Sequence, residues 1–444
     1  MKQKTRGWVL LPFLVFVGLY LFVGIYLTMQ GNDEGFYAMP ASISVIAGLI
    51  TAFLLYHGSV DEKFATLIKG CGEDNIIIMC LIFLLAGAFG SVTNAIGGVD
   101  SVVNFGLRLI PMAYIVPGMF LIACFVCLSI GTSMGTIATM APICVALADK
   151  SGINLALILA TLLSGAMFGN NMSIIADTTI VASRTLGVEI RQKFKANLLI
   201  TVPAVLVALV GYYMAGRPYT SVAVEAGSYD LWTVLPYIVV LVLALIGVNV
   251  FVVLMAGILL AGALGLILGK LTFLGCTDSI QEGFNGMFDV LLFSLLIGGL
   301  AYMVKEEGGI DWINEKLKRF IVGRKSAQLM GMLLPGLVDV SIANDTVSAL
   351  VTGPIIKDIA EHYKIDKRYM ASLMHSTVCI FQSTLPYGAQ ILLVTSIANK
   401  AVSPLQVIPY LWYGFAGLLV AILTIFLPQI GQMPKEQVEE LEKA

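Results

Sequence analysis

The chain of 444 residues is 58% hydrophobic and 12% charged, and its formal net charge is -2. Soluble domains carry about 25% charged residues, so this chain holds roughly half the usual share and cannot keep its apolar surface from water. The near-neutral charge and the lack of basic patches with interleaved aromatics argue against a nucleic-acid partner. The composition therefore predicts a protein whose solvent is the lipid bilayer.

Long apolar runs mark the predicted crossings, because a helix needs about 20 mostly apolar residues to span a bilayer. Two further regions, 112–188 and 326–399, are also long and apolar but are interrupted by Gly, Pro, Asn and Asp. If each of these regions supplies one re-entrant hairpin and one interrupted crossing, the chain crosses the bilayer ten times. The uninterrupted candidates are 8–29, 40–57, 75–96, 194–215, 231–247, 248–269, 286–304 and 405–428.

The basic residues support ten crossings, since cytoplasmic segments carry the excess of Lys and Arg. With the N-terminus inside, 21 of the 26 basic residues fall on the inner side, and Lys193 is counted among them. The sequence thus predicts a multi-pass protein of the inner (plasma) membrane with both termini in the cytoplasm. The basic residues on the outer side are Arg108, Lys150, Arg217, Lys270 and Lys400.

The two interrupted regions align with each other without gaps, in a repeat register that pairs Ser129 with Ser341 and Pro142 with Pro354. Each half then has five crossings, and an odd number inverts the second half relative to the first. Inverted repeats with broken helices are typical of secondary transporters. We expect an all-α membrane fold of about ten transmembrane helices in two inverted repeats, each with a re-entrant hairpin and a broken helix. The predicted segments are a first repeat at 1–216, an external linker at 217–230, a second repeat at 231–430 and a short cytoplasmic tail at 431–444.

The polar breaks in the apolar regions locate the candidate site, because irregular backbone at membrane depth is tolerated only inside the protein or along a cavity. Two breaks are hairpin tips, at 129–136 and 341–346, and two interrupt crossing helices, at 169–179 and 383–390. Half-helix N-termini suit anionic groups, and freed oxygens suit hard cations such as Na⁺. The predicted cation- or substrate-binding residues are Thr132, Ser133, Asn170, Asn171, Ser173, Asp177, Thr178, Asn344, Asp345, Thr346, Ser383 and Thr384.

Ionisable residues within the membrane are costly and therefore point to function. Asp177, Asp339 and Asp345 lie in the broken elements, and His375 lies on a crossing helix. Each carboxyl group could instead cap a half-helix and keep its proton, and a lone histidine is often a packing residue. Asp339 and His375 are the candidates for proton-linked groups.

The segment 169–183, Gly-Asn-Asn-Met-Ser-Ile-Ile-Ala-Asp-Thr-Thr-Ile-Val-Ala-Ser, resembles the NhaC family of Na⁺/H⁺ antiporters, which typically shows Gly-Asp-x-x-Ser-Pro-x-Ser-Asp-Thr-Thr here. The layout of nearly the whole chain also resembles that family, whose superfamily has its sites at two hairpin tips and two broken helices. Asn170 and Ile174 replace the family's first Asp and its Pro.

The resemblance implies a sodium-coupled secondary transporter, most simply an Na⁺/H⁺ antiporter with Na⁺ on Ser173 and Asp177. Asp177 or Asp345 would then alternate between proton and cation. The alternative is an Na⁺-coupled carrier of an amino acid or small organic acid, in which Asp345 pairs with a substrate ammonium group. Asn170 in place of Asp favours this alternative.

An enzyme is not expected, because the sequence lacks HExxH and its three histidines are scattered. We expect no cofactor beyond Na⁺ as the coupling ion. The expected partners are Na⁺, H⁺ or a small zwitterionic substrate, together with the bilayer. Helices outside the hairpins could also supply a homodimer interface.

Overall fold

The computed structural model describes residues 7–30, 38–109, 111–130, 132–173, 176–221, 228–246 and 248–427, and the regular elements in these ranges are helices. The side chain of Asp177, the residue Ile174 and the predicted tail at 431–444 lie outside the described part. The first ten helices are α1 (Leu11–Met29), α2 (Ala41–Leu55), α3 (Val60–Cys71), α4 (Asp74–Ala95), α5 (Gly98–Leu109), α6 (Ile115–Ile130), α7 (Ser133–Ser151), α8 (Leu155–Met172), α9 (Asp177–Leu186) and α10 (Ile190–Gly216).

The second half begins after the linker region and runs through eleven further helices. They are α11 (Leu231–Leu245), α12 (Val250–Ile267), α13 (Phe273–Gly286), α14 (Phe288–Glu306), α15 (Gly309–Lys318), α16 (Arg324–Ile342), α17 (Asp345–His362), α18 (Lys367–Thr384), α19 (Ala389–Ile397), α20 (Pro404–Val407) and α21 (Trp412–Phe426).

The second half repeats the first, element for element, as far as the broken helix. The contacts between helices repeat as well, because equivalent helices of the two halves pack on equivalent partners. Helix α3 packs on α14 while α4 packs on α13, and α9 packs on α17 while α19 packs on α7. Within each half, the first hairpin arm packs on the broken helix, α6 on α8 and α16 on α18. The predicted all-α fold of two repeats, each with a hairpin and a broken helix, is confirmed; the repeat boundaries and the orientation of the termini stay predictions.

Among the described helices, seven are long and apolar enough to cross a membrane, or eight when α20 and α21, bent by 54°, count as one span. Helices α2 and α11 have 15 residues each and fall short of that length. The predicted count of about ten is reached when these two are added to the eight. Crossing by such short helices requires a locally thin bilayer or flanking residues that extend to its surface.

Each hairpin turns where one helix ends and the next begins with a side-chain cap. Thr132 caps α7 by accepting a hydrogen bond from the Gly135 amide at 3.0 Å, and Asn344 caps α17 by accepting one from the Val347 amide at 3.0 Å. Helix α16 ends at Ala343, whose φ of 49° places it in the left-handed region. The tips therefore bring a helix C-terminus and a helix N-terminus to one point inside the protein.

Candidate cation-binding site

Contacts between the two halves join the first hairpin tip to the second broken helix, and the first broken helix to α18. At the start of α19, Gln390 Nε2 donates to Ser133 Oγ at the first hairpin tip, at 3.4 Å. At the end of α8, Asn170 Nδ2 donates to the sulfur of Cys379 on α18, also at 3.4 Å. The predicted residues Ser133 and Asn170 are buried in these contacts. The centre of the protein is therefore formed by both repeats together.

The hairpin tips are held to the broken helices by two matching hydrogen bonds. Ser173 Oγ donates to the carbonyl of Leu128 at 3.3 Å, and Tyr387 Oη donates to the carbonyl of Val340 at 2.9 Å. Leu128 and Val340 are equivalent positions in the repeat register. In both halves, a hydroxyl group beside the break thus satisfies a carbonyl in the last turn of the first hairpin arm.

The second tip contains buried oxygen atoms with no hydrogen-bond donor among the described residues. Asp339 has 0% of its surface exposed, and neither carboxyl oxygen has a partner there. Gln382 Nε2 donates to the carbonyl of Ala343 at 3.1 Å, while its Oε1 is buried without a partner. The Ala343 amide in turn donates to the backbone carbonyl of Asp339, so Gln382 and Asp339 are both hydrogen-bonded to Ala343 at the tip. Carboxyl and amide oxygens at the negative end of a helix suit a hard cation or a proton.

Asp345 lies beyond this tip, in the first turn of α17. Its Oδ1 accepts hydrogen bonds from the Thr346 amide at 2.8 Å and from Thr346 Oγ1 at 3.3 Å. Asp345 is half-buried, whereas Asp339 is fully buried. A recess of about 20 Å³ reaches the tip at Asn344 and is also lined by Glu73 and Lys305. The second tip thus combines a buried carboxyl group with a more accessible one.

The first broken helix contacts Lys193, which the sequence analysis counted among the charges of the inner side. The structure buries this residue, which has only 1% of its surface exposed. Its Nζ contacts Nδ1 of His375 and donates to the Asn171 carbonyl at 3.3 Å and to Thr179 Oγ1 at 3.5 Å. A helical stripe of polar residues, Lys193, Asn197 and Thr201, is the sequence signal that marks this buried face of α10.

His375 is fully buried beside Lys193. Because its Nδ1 faces an ammonium donor, Nδ1 accepts, and Nε2 carries the hydrogen. Nε2 lies 2.8 Å from Thr178 Oγ1 and donates to it. His375 therefore joins α18 to the first turn of α9, and the predicted residue Thr178 takes part in this contact.

Asn171 is the centre of a buried amide and hydroxyl network. Its Nδ2 donates to Ser376 Oγ at 3.1 Å and to Tyr413 Oη at 3.2 Å, and its Oδ1 accepts from Asn197 at 2.9 Å. Ser372 Oγ donates to Asn197 Oδ1 at 2.6 Å. These partners were absent from the predicted site. Since the network is closed by its own donors and acceptors, it fixes α8, α10, α18 and α21 relative to one another.

The remaining predicted residues have local roles in the structure. Thr384 Oγ1 donates to the carbonyls of Ile380 and Phe381 within its own helix, and Ser383 is buried at the end of α18. Ser173 uses its hydroxyl group on Leu128, as described above. The assignment of Na⁺ to Ser173 and Asp177 stays a prediction, because the Asp177 side chain lies outside the described residues.

A cavity of about 640 Å³ lies beside this centre, between α4, α5, α7, α13 and the end of α19. Its charged lining residues are Asp100, Asp149, Lys150 and Glu282. None of the predicted site residues lines the cavity in the described part of the chain, although α7 and α19 run from the site to its walls. Three carboxylates against one lysine make its lining attractive to cations.

Two repeats with hairpins, broken helices and a buried carboxyl group at a hairpin tip are the features of a secondary active transporter of the plasma membrane. The sequence model of the Na⁺/H⁺ antiporter family matches residues 4–217 and 168–428. The chain therefore belongs to the Na⁺/H⁺ antiporter family, a family of sodium-coupled transporters rather than enzymes.

The relatives of the chain are antiporters with several named substrates. A malate-2H⁺/Na⁺-lactate antiporter of Bacillus subtilis is 22% identical, over 96% of this chain and 97% of the relative. The Na⁺/H⁺ antiporter NhaC of the same organism is 23% identical, over 88% of this chain and 92% of the relative. An arginine/ornithine antiporter, ArcD, of Halobacterium salinarum is 22% identical, over 99% and 96%. Each of these three alignments covers 88% or more of this chain and of the relative.

Proposed function

We propose that this chain exchanges Na⁺ for H⁺ across the plasma membrane, and that the two ions compete for the Asp339 carboxyl group at the second hairpin tip. The observation that supports this most is the pair of Asp339 oxygens, fully buried and without a donor among the described residues. An ionised carboxylate in such a place is strongly disfavoured unless a proton or a cation neutralises it. Either ion neutralises the Asp339 carboxylate, and only one can be bound to it at a time.

The surroundings of Asp339 fit both occupants. Gln382, whose Nε2 donates to the Ala343 carbonyl at the tip, offers a second buried oxygen, its Oε1, and Na⁺ prefers such hard ligands. Asp345, half-buried in the first turn of α17, is a second carboxyl group near the tip, and the recess reaches the neighbouring Asn344. Two of the relatives are named for exchange that involves both Na⁺ and H⁺.

Vesicles with an internal pH dye test this proposal directly. An inward Na⁺ gradient, with no organic substrate present, is expected to change the internal pH when the wild-type chain is reconstituted. Asp339→Asn removes the exchangeable proton and should abolish the change. Asp278→Asn, at an exposed carboxylate on α13, is the matched control and should leave it intact. A normal pH change with Asp339→Asn, or no change with the wild type, contradicts the proposal.

An amino acid or small organic acid is the second candidate substrate. The cavity of about 640 Å³ favours it, because pockets of about 300–1,000 Å³ hold small molecules and its carboxylates could meet an ammonium group. The recess of about 20 Å³ at the second tip is too small for such a molecule. Na⁺-stimulated uptake of labelled arginine or malate into the same vesicles, without any Na⁺-driven pH change, would favour this candidate over ion exchange.

A further inference from the structure

Lys193 is a buried cation whose donors match its surroundings. An ammonium group has three N–H donors, and three acceptors surround Lys193 Nζ: the Asn171 carbonyl, Thr179 Oγ1 and His375 Nδ1. No carboxylate forms an ion pair with it among the described residues. Its contacts are instead polar groups of the first broken helix and the ring of His375 on α18. Hydrogen bonds of this kind are what a charged group inside a membrane protein requires.

The contacts of Lys193 join both sides of the first break. Asn171 lies in the last turn of α8, where carbonyl groups lack helical partners and carry partial negative charge. Thr179 lies in the first turn of α9, and His375 on α18 reaches the neighbouring Thr178. A cation is well suited to this position, because it compensates the carbonyl end of α8. In this chain, the ammonium group of Lys193 supplies that cation.

The second half has no equivalent of this lysine. The position that matches Lys193 in the repeat register is Leu405, and the stretch 401–428 contains no Lys or Arg. The second tip instead keeps the oxygens of Asp339 and Gln382 without donors among the described residues. The two halves share a fold, but the first has a buried lysine at its break. The second has buried oxygens that could bind a mobile cation.

We infer that Lys193 is a built-in cation that positions the two halves of the first broken helix, so that a single exchanged cation binds, at the second hairpin tip. The location of that cation rests on the proposed function; the role of Lys193 as a positioning residue does not. One consequence is a stoichiometry of one bound Na⁺ per chain. Another is that the charge of Lys193 supports turnover without contacting the exchanged ion.

Equilibrium binding of radioactive Na⁺ to the purified full chain tests the stoichiometry without any variant. One Na⁺ per chain is expected for the wild type, and none for Asp339→Asn. Two Na⁺ per wild-type chain would overturn the inference. One Na⁺ retained by Asp339→Asn would instead overturn the proposed function and leave the role of Lys193 to the variants below.

Three variants of α10 separate the charge of Lys193 from its bulk. Lys193→Met removes the charge but keeps the length, Lys193→Arg keeps the charge, and Lys195→Met is a control at an exposed position on the same turn. We expect Lys193→Met to lower the maximal exchange rate at least tenfold while the half-saturating Na⁺ concentration stays within threefold of wild type. Lys193→Arg and Lys195→Met should keep the rate within threefold.

The variants overturn the inference in two cases. In the first, Lys193→Met exchanges ions at the wild-type rate. In the second, Lys193→Arg is as slow as Lys193→Met although both elute as folded protein in size-exclusion chromatography, so that charge is irrelevant. If Lys193→Met does not fold, the rate of Lys193→Arg and the wild-type Na⁺ stoichiometry decide the question.

Discussion

Asp339 is expected to destabilise the fold that carries it, and replacing it should make this cost measurable. The first half of the chain indicates the substitution, because the position that matches Asp339 in the repeat register is Cys127, which is fully buried. Asp339→Cys therefore introduces a side chain of similar volume that the repeat already accommodates. It removes two oxygens that have no donor among the described residues.

The size of the effect follows from the burial of Asp339. A buried polar group without a partner costs about 1–3 kcal/mol, so its removal should stabilise the Na⁺-free protein by about 2 kcal/mol. With an unfolding entropy of about 2.1 cal/mol/K per residue, 1 kcal/mol raises the unfolding temperature of a chain of 444 residues by about 1 °C, which predicts an increase of about 2 °C. Na⁺ at 100 times its dissociation constant should stabilise the wild type by about 2.7 kcal/mol and close the gap. The variant should gain nothing from Na⁺.

Thermal unfolding of the purified protein in detergent, in choline chloride and in sodium chloride, measures both effects. We expect Asp339→Cys to unfold at a higher temperature than wild type in choline, to show no shift with Na⁺ and to lack exchange in vesicles. Asp278→Asn should behave as wild type in all three respects. A lower unfolding temperature of Asp339→Cys in choline, or an Na⁺-dependent shift of wild-type size, would refute this account of the second tip.

Two further predictions concern the residues around the site. Gln382→Leu removes one oxygen from the second tip and should raise the half-saturating Na⁺ concentration about tenfold, corresponding to roughly 1.4 kcal/mol. Gln192→Leu, at an exposed position, should leave that concentration unchanged. An unchanged Na⁺ dependence of Gln382→Leu would exclude this oxygen as a ligand. Gly169→Ala places a Cβ 2.3 Å from Cys127 Cβ in the contact of α8 with α6 and should destabilise the protein by about 1–3 kcal/mol. Gly118→Ala on α6, with open space around it, should be neutral or stabilising in the same thermal assay.

The sequence predicted the broken elements well, because breaks depend on local composition. The tips expected at 129–136 and 341–346 lie where α6 is followed by α7 and α16 by α17, and both are capped at the predicted polar residues Thr132 and Asn344. Glycine, proline and short polar residues disfavour continuous helix wherever they cluster. The gap-free register of the two halves then predicted the repeated architecture.

The contacts within the site could not be predicted in the same way, because they join distant parts of the chain. Lys193 and His375 are 182 residues apart, and Asn170 and Cys379 are 209 residues apart. A lysine near the end of an apolar run is normally a cytoplasmic charge, so the count of basic residues assigned Lys193 to the inner side and did not predict that its side chain is buried. Only the polar stripe that it forms with Asn197 and Thr201 distinguishes it from Lys195.

The two halves differ in chemistry at positions that their fold makes equivalent. Cys127 matches Asp339, and Ser133 matches Asp345. A transporter needs two-fold similarity so that either side of the membrane can open by the same motion. It does not need two equal sites, and a second mobile cation would add its own desolvation cost in every cycle. In our proposal, Lys193 holds the first break in place, and the Asp339 carboxyl group, which has no hydrogen-bond donor among the described residues, exchanges Na⁺ for H⁺. The two halves can then share a fold although only one of them binds a mobile cation.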